Sequence, residues 1–331
     1  MAVPLVDPHR RTVRDLRLSI TDRCNFRCTY CMPQEGMQWL PRAELLSFEE
    51  MERIVGVLVD RYGFESVRLT GGEPTVRAHL PVLIRRLAAL GVELSMTTNG
   101  ATLGLVAADL AEAGLGRVNV SLDSLRADRF AAITGRDSLH RVLDGIDAAI
   151  AAGLAPVKVN CVLVRGVNDD EILDFAELGR RSGAEVRFIE WMPLDGDGTW
   201  SGDRVVPAAE VLKVLAGRYE LEAVGGGAID GPAPAERYRY ADGGGHVGVI
   251  ASVTRPFCGT CDRIRLTAEG QLRNCLFSVR ETDLRGILRG GGSDDDLAAA
   301  IEAEVGRKWA GHSIGQVHFI RPARSMSQIG G

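Results

Sequence analysis

From residue 14 to about 192 the chain repeats one pattern, a short β-branched apolar run and then a longer stretch with apolar residues at helical spacing. That alternation gives parallel strands joined by helical crossovers. It predicts strands over 15–20, 65–70, 92–97, 117–122, 156–164 and 185–190, with helices near 47–61, 78–90, 103–113, 138–152 and 169–182. Ser47 with Glu50, and Asn168 with Glu171, have the spacing of capping boxes, which satisfy the orphan N–H groups of a first helical turn. Six β-α units of this kind form one α/β barrel or open sheet. Beyond residue 192 the period is lost, and Gly-rich or Pro-rich stretches at 195–202, 225–234 and 243–245 separate shorter elements. Helices are predicted there over 207–217 and 297–308. Asp294, Asp295 and Asp296 precede the second, where carboxylates suit the positive end of the helix dipole.

Polar residues interrupt the strands at telling places. Arg17, Arg68 and Lys158 each sit inside an otherwise apolar strand, and a buried charge is expensive unless paired or facing a polar lumen. Thr97 ends the third predicted strand, from where it can offer a hydroxyl to that lumen. Together these positions suggest an interior that binds phosphates.

Composition narrows the class. The chain has 331 residues, 45% of them hydrophobic, enough for a large α/β core. A formal net charge of −5 argues against a broad nucleic-acid-binding face, so any anionic ligand must be met locally. No run approaches eighteen apolar residues and residues 1–17 have no signal-like apolar core, which predicts no membrane association and a cytoplasmic protein with its seven cysteines reduced. Only Lys158, Lys213 and Lys308 are lysines among 39 basic residues, so a lysine here is not background.

Cys24, Cys28 and Cys31 lie in C-x3-C-x2-C spacing just after the first predicted strand, the carboxyl end at which β/α barrels hold their active sites. Three thiolates are one too few to close a zinc or iron–sulfur site, so the spacing suggests a cluster with one open iron, against zinc with a distant fourth ligand or three free thiols. Gly71-Gly72-Glu73-Pro74 follows the second strand, where glycines allow close backbone approach to a ligand and Glu73 can accept from an ammonium. Ser121 and Asp123 end the fourth strand and Met192 follows the sixth, all within reach of a bound ligand or simply turn and core residues. A second set, Cys258, Cys261 and Cys275, again offers three ligands, with His246 as the nearest spare for a Cys3His zinc ribbon. Arg263 and Arg265, two residues apart on an extended segment, point to one face while Ile264 and Leu266 point to the other. Two guanidiniums there make a pocket for a polyanion. Cys161, between Val159 and Val162, reads as core, and Gly330-Gly331 by themselves as a frayed end.

The first triplet, with Tyr30 before its last cysteine, resembles the radical S-adenosylmethionine (SAM) enzymes. With the second triplet, Gly71–Pro74, Thr97-Thr98-Asn99-Gly100, Lys158 and the segment Cys261–Leu266 in this order, the chain from Arg17 onward resembles the GTP 3′,8-cyclase family of molybdenum cofactor biosynthesis. The resemblance implies an incomplete (β/α)6 radical SAM barrel over 1–192. An irregular C-terminal region, 193–331, would carry a second cluster and close the barrel. It implies a [4Fe–4S] cluster and SAM on Cys24, Cys28 and Cys31, with Tyr30, Gly72, Ser121 and Met192 touching SAM. It also implies a second [4Fe–4S] cluster on Cys258, Cys261 and Cys275, and GTP held by Arg17, Arg68, Thr97, Lys158, Arg263 and Arg265. Arg17, Arg263, Arg265, Gly330 and Gly331 are the catalytic positions by the same likeness. The implied product is (8S)-3′,8-cyclo-7,8-dihydro-GTP. The implied partners are an electron donor such as flavodoxin or ferredoxin and a downstream cyclic pyranopterin monophosphate synthase, and a homodimer is allowed. Competing readings are a radical SAM peptide-modifying enzyme with an auxiliary cluster, and a zinc-ribbon binding module.

Overall fold

The computed structural model of the protein describes residues 2–32, 39–227, 233–317 and 319–330. Six strands lie parallel and in sequence order: β1 (Asp15–Ser19), β2 (Ser66–Thr70), β3 (Glu93–Thr98), β4 (Arg117–Ser121), β5 (Lys158–Leu163) and β6 (Glu185–Glu190). Helices α1 (Phe48–Tyr62), α2 (Leu80–Ala88), α3 (Leu103–Glu112), α4 (Ala127–Thr134), α5 (Leu139–Ala151) and α6 (Ile172–Ser182) connect them.

Strand alternation separates two faces. Leu16 and Leu18, Val67 and Leu69, Leu94 and Met96, Val118 and Val120, and Val159 and Cys161 are at most 2% exposed and form the core with the helices. Burying such a side chain is worth roughly 1.5–3 kcal/mol, and a one-residue slip would turn the whole set outward, so register is firmly fixed. The intervening positions are polar, and paired strands place them side by side: Arg17 opposite Arg68, Arg68 opposite Ser95, Thr97 opposite Asn119, and Asn119 opposite Lys158. Cys161 is fully buried, as its apolar neighbours predict.

The C-terminal elements are α7 (Ala208–Ala216), β7 (Leu221–Ala223), β8 (Glu236–Tyr240), β9 (His246–Ile250), β10 (Arg263–Leu266), β11 (Gln271–Arg273), β12 (Thr282–Asp283), α8 (Leu284–Arg289), α9 (Asp294–Val305) and α10 (Met326–Ile329). They extend the same sheet from both sides. β10 pairs parallel with β1 and β9 parallel with β6, while β11–β12 and β8–β7 continue antiparallel to the two edges. Among the described residues the resulting 12-stranded sheet runs from β12 to β7 without closing.

Three local expectations change. The Ser47–Glu50 capping box forms, but Asn168 caps nothing. Its amide bridges the Val164 N–H and the Asp123 and Val162 carbonyls, and buried Glu171 accepts from Ser124 Oγ (2.7 Å) and Leu125 N (2.6 Å). Those contacts fix the β4–α4 connection, in which the short helix α4 had no counterpart in the periodicity. Finally, α9 starts at Asp294, so the three aspartates form its first turn, with Ser293 as N-cap.

Candidate active site

The first cysteine loop leaves the carboxyl end of β1. Its turn is held by Cys31 N and Met32 N donating to the Cys28 carbonyl, both at 3.0 Å. The Cys24 sulfur accepts from Phe26 N (3.4 Å), and the Asn99 amide lies 3.8 Å away, itself donating to Asn25 Oδ1 at 2.7 Å. Burial raises the Cys28 thiol well above its ordinary pKa, with Cys31 beside it adding to the shift. Cys31 is likewise pushed up to about 12 by burial, then by Cys24. The thiols of this loop therefore resist ionisation, and a cationic centre would stabilise their thiolate forms.

Glu73 is not the free acceptor its motif suggests. Its Oε1 accepts from Thr75 N (3.0 Å), Thr75 Oγ1 (2.7 Å) and Thr98 Oγ1 (2.7 Å), and its Oε2 from Asn99 N (2.6 Å). The carboxylate thus latches the Gly71–Pro74 turn to the Thr97–Gly100 loop. The glycines approach protein rather than open space: Gly72 N donates to Thr21 O and Glu73 N to Arg23 O, both at 2.8 Å. A Cβ at Gly72 would lie 2.1 Å from the Arg23 carbonyl oxygen, leaving no room for any side chain. Gly72→Ala is expected to destabilise the protein by about 1–3 kcal/mol and to lower iron bound at the first triplet while sparing the second. Thermal unfolding and iron content of this variant against Cys258→Ala backgrounds check it.

Tyr30 donates to Asp123 Oδ2, and Asp123 Oδ1 accepts from Val162 N at 2.8 Å. Burial raises Asp123 to about 6. Tyr30, Asp123, Val162, Asn168 and Trp191 line a cavity of about 670 Å³ beside the first loop. Ser121 lies at the end of β4 opposite Asn160 and is absent from this cavity's lining. Met192 instead lines the next cavity, at the second triplet.

That second cavity is bounded by Cys258, Cys261 and Cys275 together with Met192, Phe257, Arg263, Arg265 and His312. Arg263 and Arg265 do share a face, with Ile264 and Leu266 fully buried behind them. The Arg263 guanidinium stacks over Phe257 at 4.8 Å and raises no objection to a thiolate, since it holds the Cys261 thiol below its usual pKa. His246 begins β9 opposite Arg239 and is absent from the cavity lining. His312 occupies the place expected for it, its Nε2 2.9 Å from Ser252 O.

Register joins the cations into one belt. Arg265 pairs with Arg17 across β10–β1, and Arg17 with Arg68 across β1–β2. Burial lowers Arg265 to about 9, with repulsion from Arg17 and Arg263 adding to it, and Arg68 is pushed down by burial and then by Arg17. Arg17 has Asp15 at 2.8 Å, an ion pair lacking hydrogen-bond alignment, and Nε and Nη2 of Arg263 are buried without an acceptor among the described residues. Asn119 Oδ1 and Asn160 Oδ1 are likewise buried without partners among the described residues. Lys158 has neither ion pair nor hydrogen bond there, and burial followed by Arg187 lowers it to about 7. Crowded, desolvated cations with orphan donors are an arrangement that an anion relieves.

The segment around α10 enters this site. Arg265 Nη1 donates to Gly330 O, Ser327 bonds to Cys31, and a Cβ at Gly330 would lie 2.4 Å from Thr70 Cγ2. Gly330 takes φ +71°, a conformation glycine adopts freely. Gly331 lies outside the described residues. Thr97 faces the same lumen from β3, opposite Asn119.

Each triplet fits an iron–sulfur cluster with an open position. All six thiols are free and partly buried.

Comparison with known proteins agrees with this geometry. A model of the radical SAM superfamily matches residues 18–179, and a Molybdenum Cofactor Synthesis C model matches 184–314. GTP 3′,8-cyclase of Streptomyces coelicolor is 50% identical over 330 residues, 99% of this chain and 96% of that protein. That of Mycolicibacterium smegmatis is 49% identical, covering 99% and 92%. The chain belongs to the GTP 3′,8-cyclase family. The fold is also that of Streptococcus suis SuiB, with TM-score 0.59 at 14% identity over 89% of this chain and 69% of SuiB. Several parts of the family site escaped sequence reasoning. Asn119, Asn160 and Arg187 stand at lumen-facing strand positions, and the same two-residue period that marked Lys158 would have found them. Phe257 and His312 carried no such signal.

Proposed function

We propose that this chain is a radical SAM enzyme that converts GTP to (8S)-3′,8-cyclo-7,8-dihydro-GTP, the first step of molybdenum cofactor biosynthesis. Residues 1–192 generate the radical, and 193–331 hold the second cluster and cover the lumen. Cys24, Cys28 and Cys31 would hold a [4Fe–4S] cluster and SAM, which when bound supply a carbon radical able to take a hydrogen atom. Tyr30, Gly72, Ser121 and Met192 place SAM, although Gly72 acts through the loop it packs against. Cys258, Cys261 and Cys275 would hold the second cluster. Arg17, Arg68, Lys158, Arg263 and Arg265 bind the triphosphate, and Thr97 adds a hydroxyl. Gly330 accepts from Arg265 in this lumen, and Gly331 would act with it. The protein's task is orientation: ribose C3′ must face the hydrogen acceptor while guanine C8 stays within bonding reach of C3′. A low-potential donor such as flavodoxin or ferredoxin supplies electrons in the cytoplasm, and a cyclic pyranopterin monophosphate synthase consumes the product.

The belt of mutually repelling, buried cations between the two triplets carries this reading. Lys158 makes it testable by pH. In the ligand-free fold its pKa lies near 7, below the ordinary 10.5. The sign follows: the neutral form dominates above pH 7, and a bound triphosphate favours the charged form, so GTP binding takes up a proton between about pH 7 and 10. Affinity should fall as pH rises through that window, and calorimetry in buffers of different ionisation enthalpy should show the uptake. Lys158→Met should weaken binding and erase the uptake near pH 7, leaving what Arg265 adds near pH 9. Wild-type binding with no proton linkage, or equal linkage in the variant, would remove Lys158 from the phosphate site.

A further inference from the structure

Lys308 is one of three lysines in the chain and has no part in the lumen. It follows α9, is 4% exposed, and points its Nζ at the second triplet's supporting backbone. Nζ donates to Arg263 O at 2.7 Å and to Asn274 O. Arg263 lies two residues past Cys261, and Asn274 immediately precedes Cys275. One ammonium therefore ties together the two segments that carry these cysteines. No carboxylate pairs with Lys308 among the described residues; burial lowers its pKa, and Cys261 and Cys275 are the groups that oppose that shift. A buried cation without a carboxylate is costly unless anionic groups face it.

The next residues strengthen the arrangement. Arg11, paired with Asp7, donates to Cys258 O at 2.6 Å, to Ala310 O at 2.8 Å and to Trp309 O. Gly311 packs against Cys258, since a Cβ there would lie 3.1 Å from the Cys258 Cβ. Residues 308–311 thus reach, directly or through Arg11, the segments that carry all three cysteines.

We infer that Lys308 is a positioning residue of the second triplet. Its ammonium fixes Cys261 relative to Cys275 and raises the reduction potential of the cluster they hold. The inference rests on the reading that this triplet carries a cluster. A nearby fixed positive charge favours the more negative, reduced cluster, so removing it lowers the potential. Hydrogen bonds to the carbonyls set the geometry, and charge sets the potential, which lets two variants separate them.

The experiment uses the full chain, with Cys24, Cys28 and Cys31 replaced by alanine so that any cluster signal comes from the second triplet. After anaerobic reconstitution, iron content and an EPR-monitored redox titration are measured for this parent and for added Lys308→Arg, Lys308→Gln and Lys308→Met. Lys308→Gln keeps donors without charge and should bind iron at a lowered midpoint potential, with Lys308→Arg near the parent. Iron loss in Lys308→Met and Lys308→Gln with retention in Lys308→Arg also supports the inference. Parent-like iron and potential in Lys308→Gln overturn it, as does equal iron loss in all three. A parent chain that binds no iron would instead overturn the reading of the second triplet.

Discussion

Cys258→Ala enzyme, reconstituted anaerobically, is expected to cleave SAM but form no cyclised GTP, whereas Cys24→Ala enzyme loses both. The two triplets stand in different parts of one site. The first follows β1 and is supported by the Gly71–Pro74 turn, Asn25 and Asn99, none of which touches the second triplet. The second sits on the β10 side, braced by Arg11 and Lys308. Removing Cys258 should therefore leave the first loop intact while removing the cluster proposed at the second triplet. Iron should fall from about eight to about four per chain in either variant, two four-iron clusters becoming one. Cyclisation should drop at least about 10³-fold in Cys258→Ala. Coupled loss of SAM cleavage there would mean that the triplets fold as one unit.

Arg265→Ala carries the second large effect. Arg265 stands at the crossing of three features: it pairs in register with Arg17, lines the second triplet's cavity, and donates to Gly330 O. Loss of a charge-assisted contact with phosphate should weaken GTP binding by about 1.5–3 kcal/mol, roughly 10- to 150-fold. The turnover loss should exceed that, because the same guanidinium also holds Gly330 against Ser19 and Thr70. Measuring Kd and kcat separately distinguishes the contributions, and a variant with weakened binding but normal turnover at saturating GTP would reduce Arg265 to a phosphate contact. Arg265→Lys keeps charge without the fork and should recover binding better than turnover.

Much of this was legible before any coordinates. The six parallel strands were marked by β-branched runs with a two-residue period, because each strand buries one face only. Arg17, Arg68 and Lys158 stood out for the same reason, as charges whose neighbours are core. What the sequence could not settle was competition among partners. Glu171 has correct capping-box spacing from Asn168, yet Ser124 and Leu125, 46 or 47 residues away, take its carboxylate. Glu73 was read as a ligand to an ammonium, and Thr75, Thr98 and Asn99 fill it instead. His246 is nearer in sequence to Cys258 than His312 is, but strand β9 carries it away while the residue 308–312 segment folds back. Lengthwise proximity decides such cases only when the chain between is short. The C-terminal strands lost their period because β7, β11 and β12 are only two or three residues long and pair antiparallel, so neither face needs a long apolar run.

The central claim is that the lumen places ribose C3′ of GTP against the radical supplied at the first triplet. The direct measurement uses GTP carrying deuterium at C3′, incubated anaerobically with reduced enzyme and SAM. The expected result is transfer of deuterium into 5′-deoxyadenosine, read by mass spectrometry, together with a cyclised guanosine nucleotide that has lost the label at C3′. Formation of 5′-deoxyadenosine without deuterium, with GTP returned unchanged, would contradict the account.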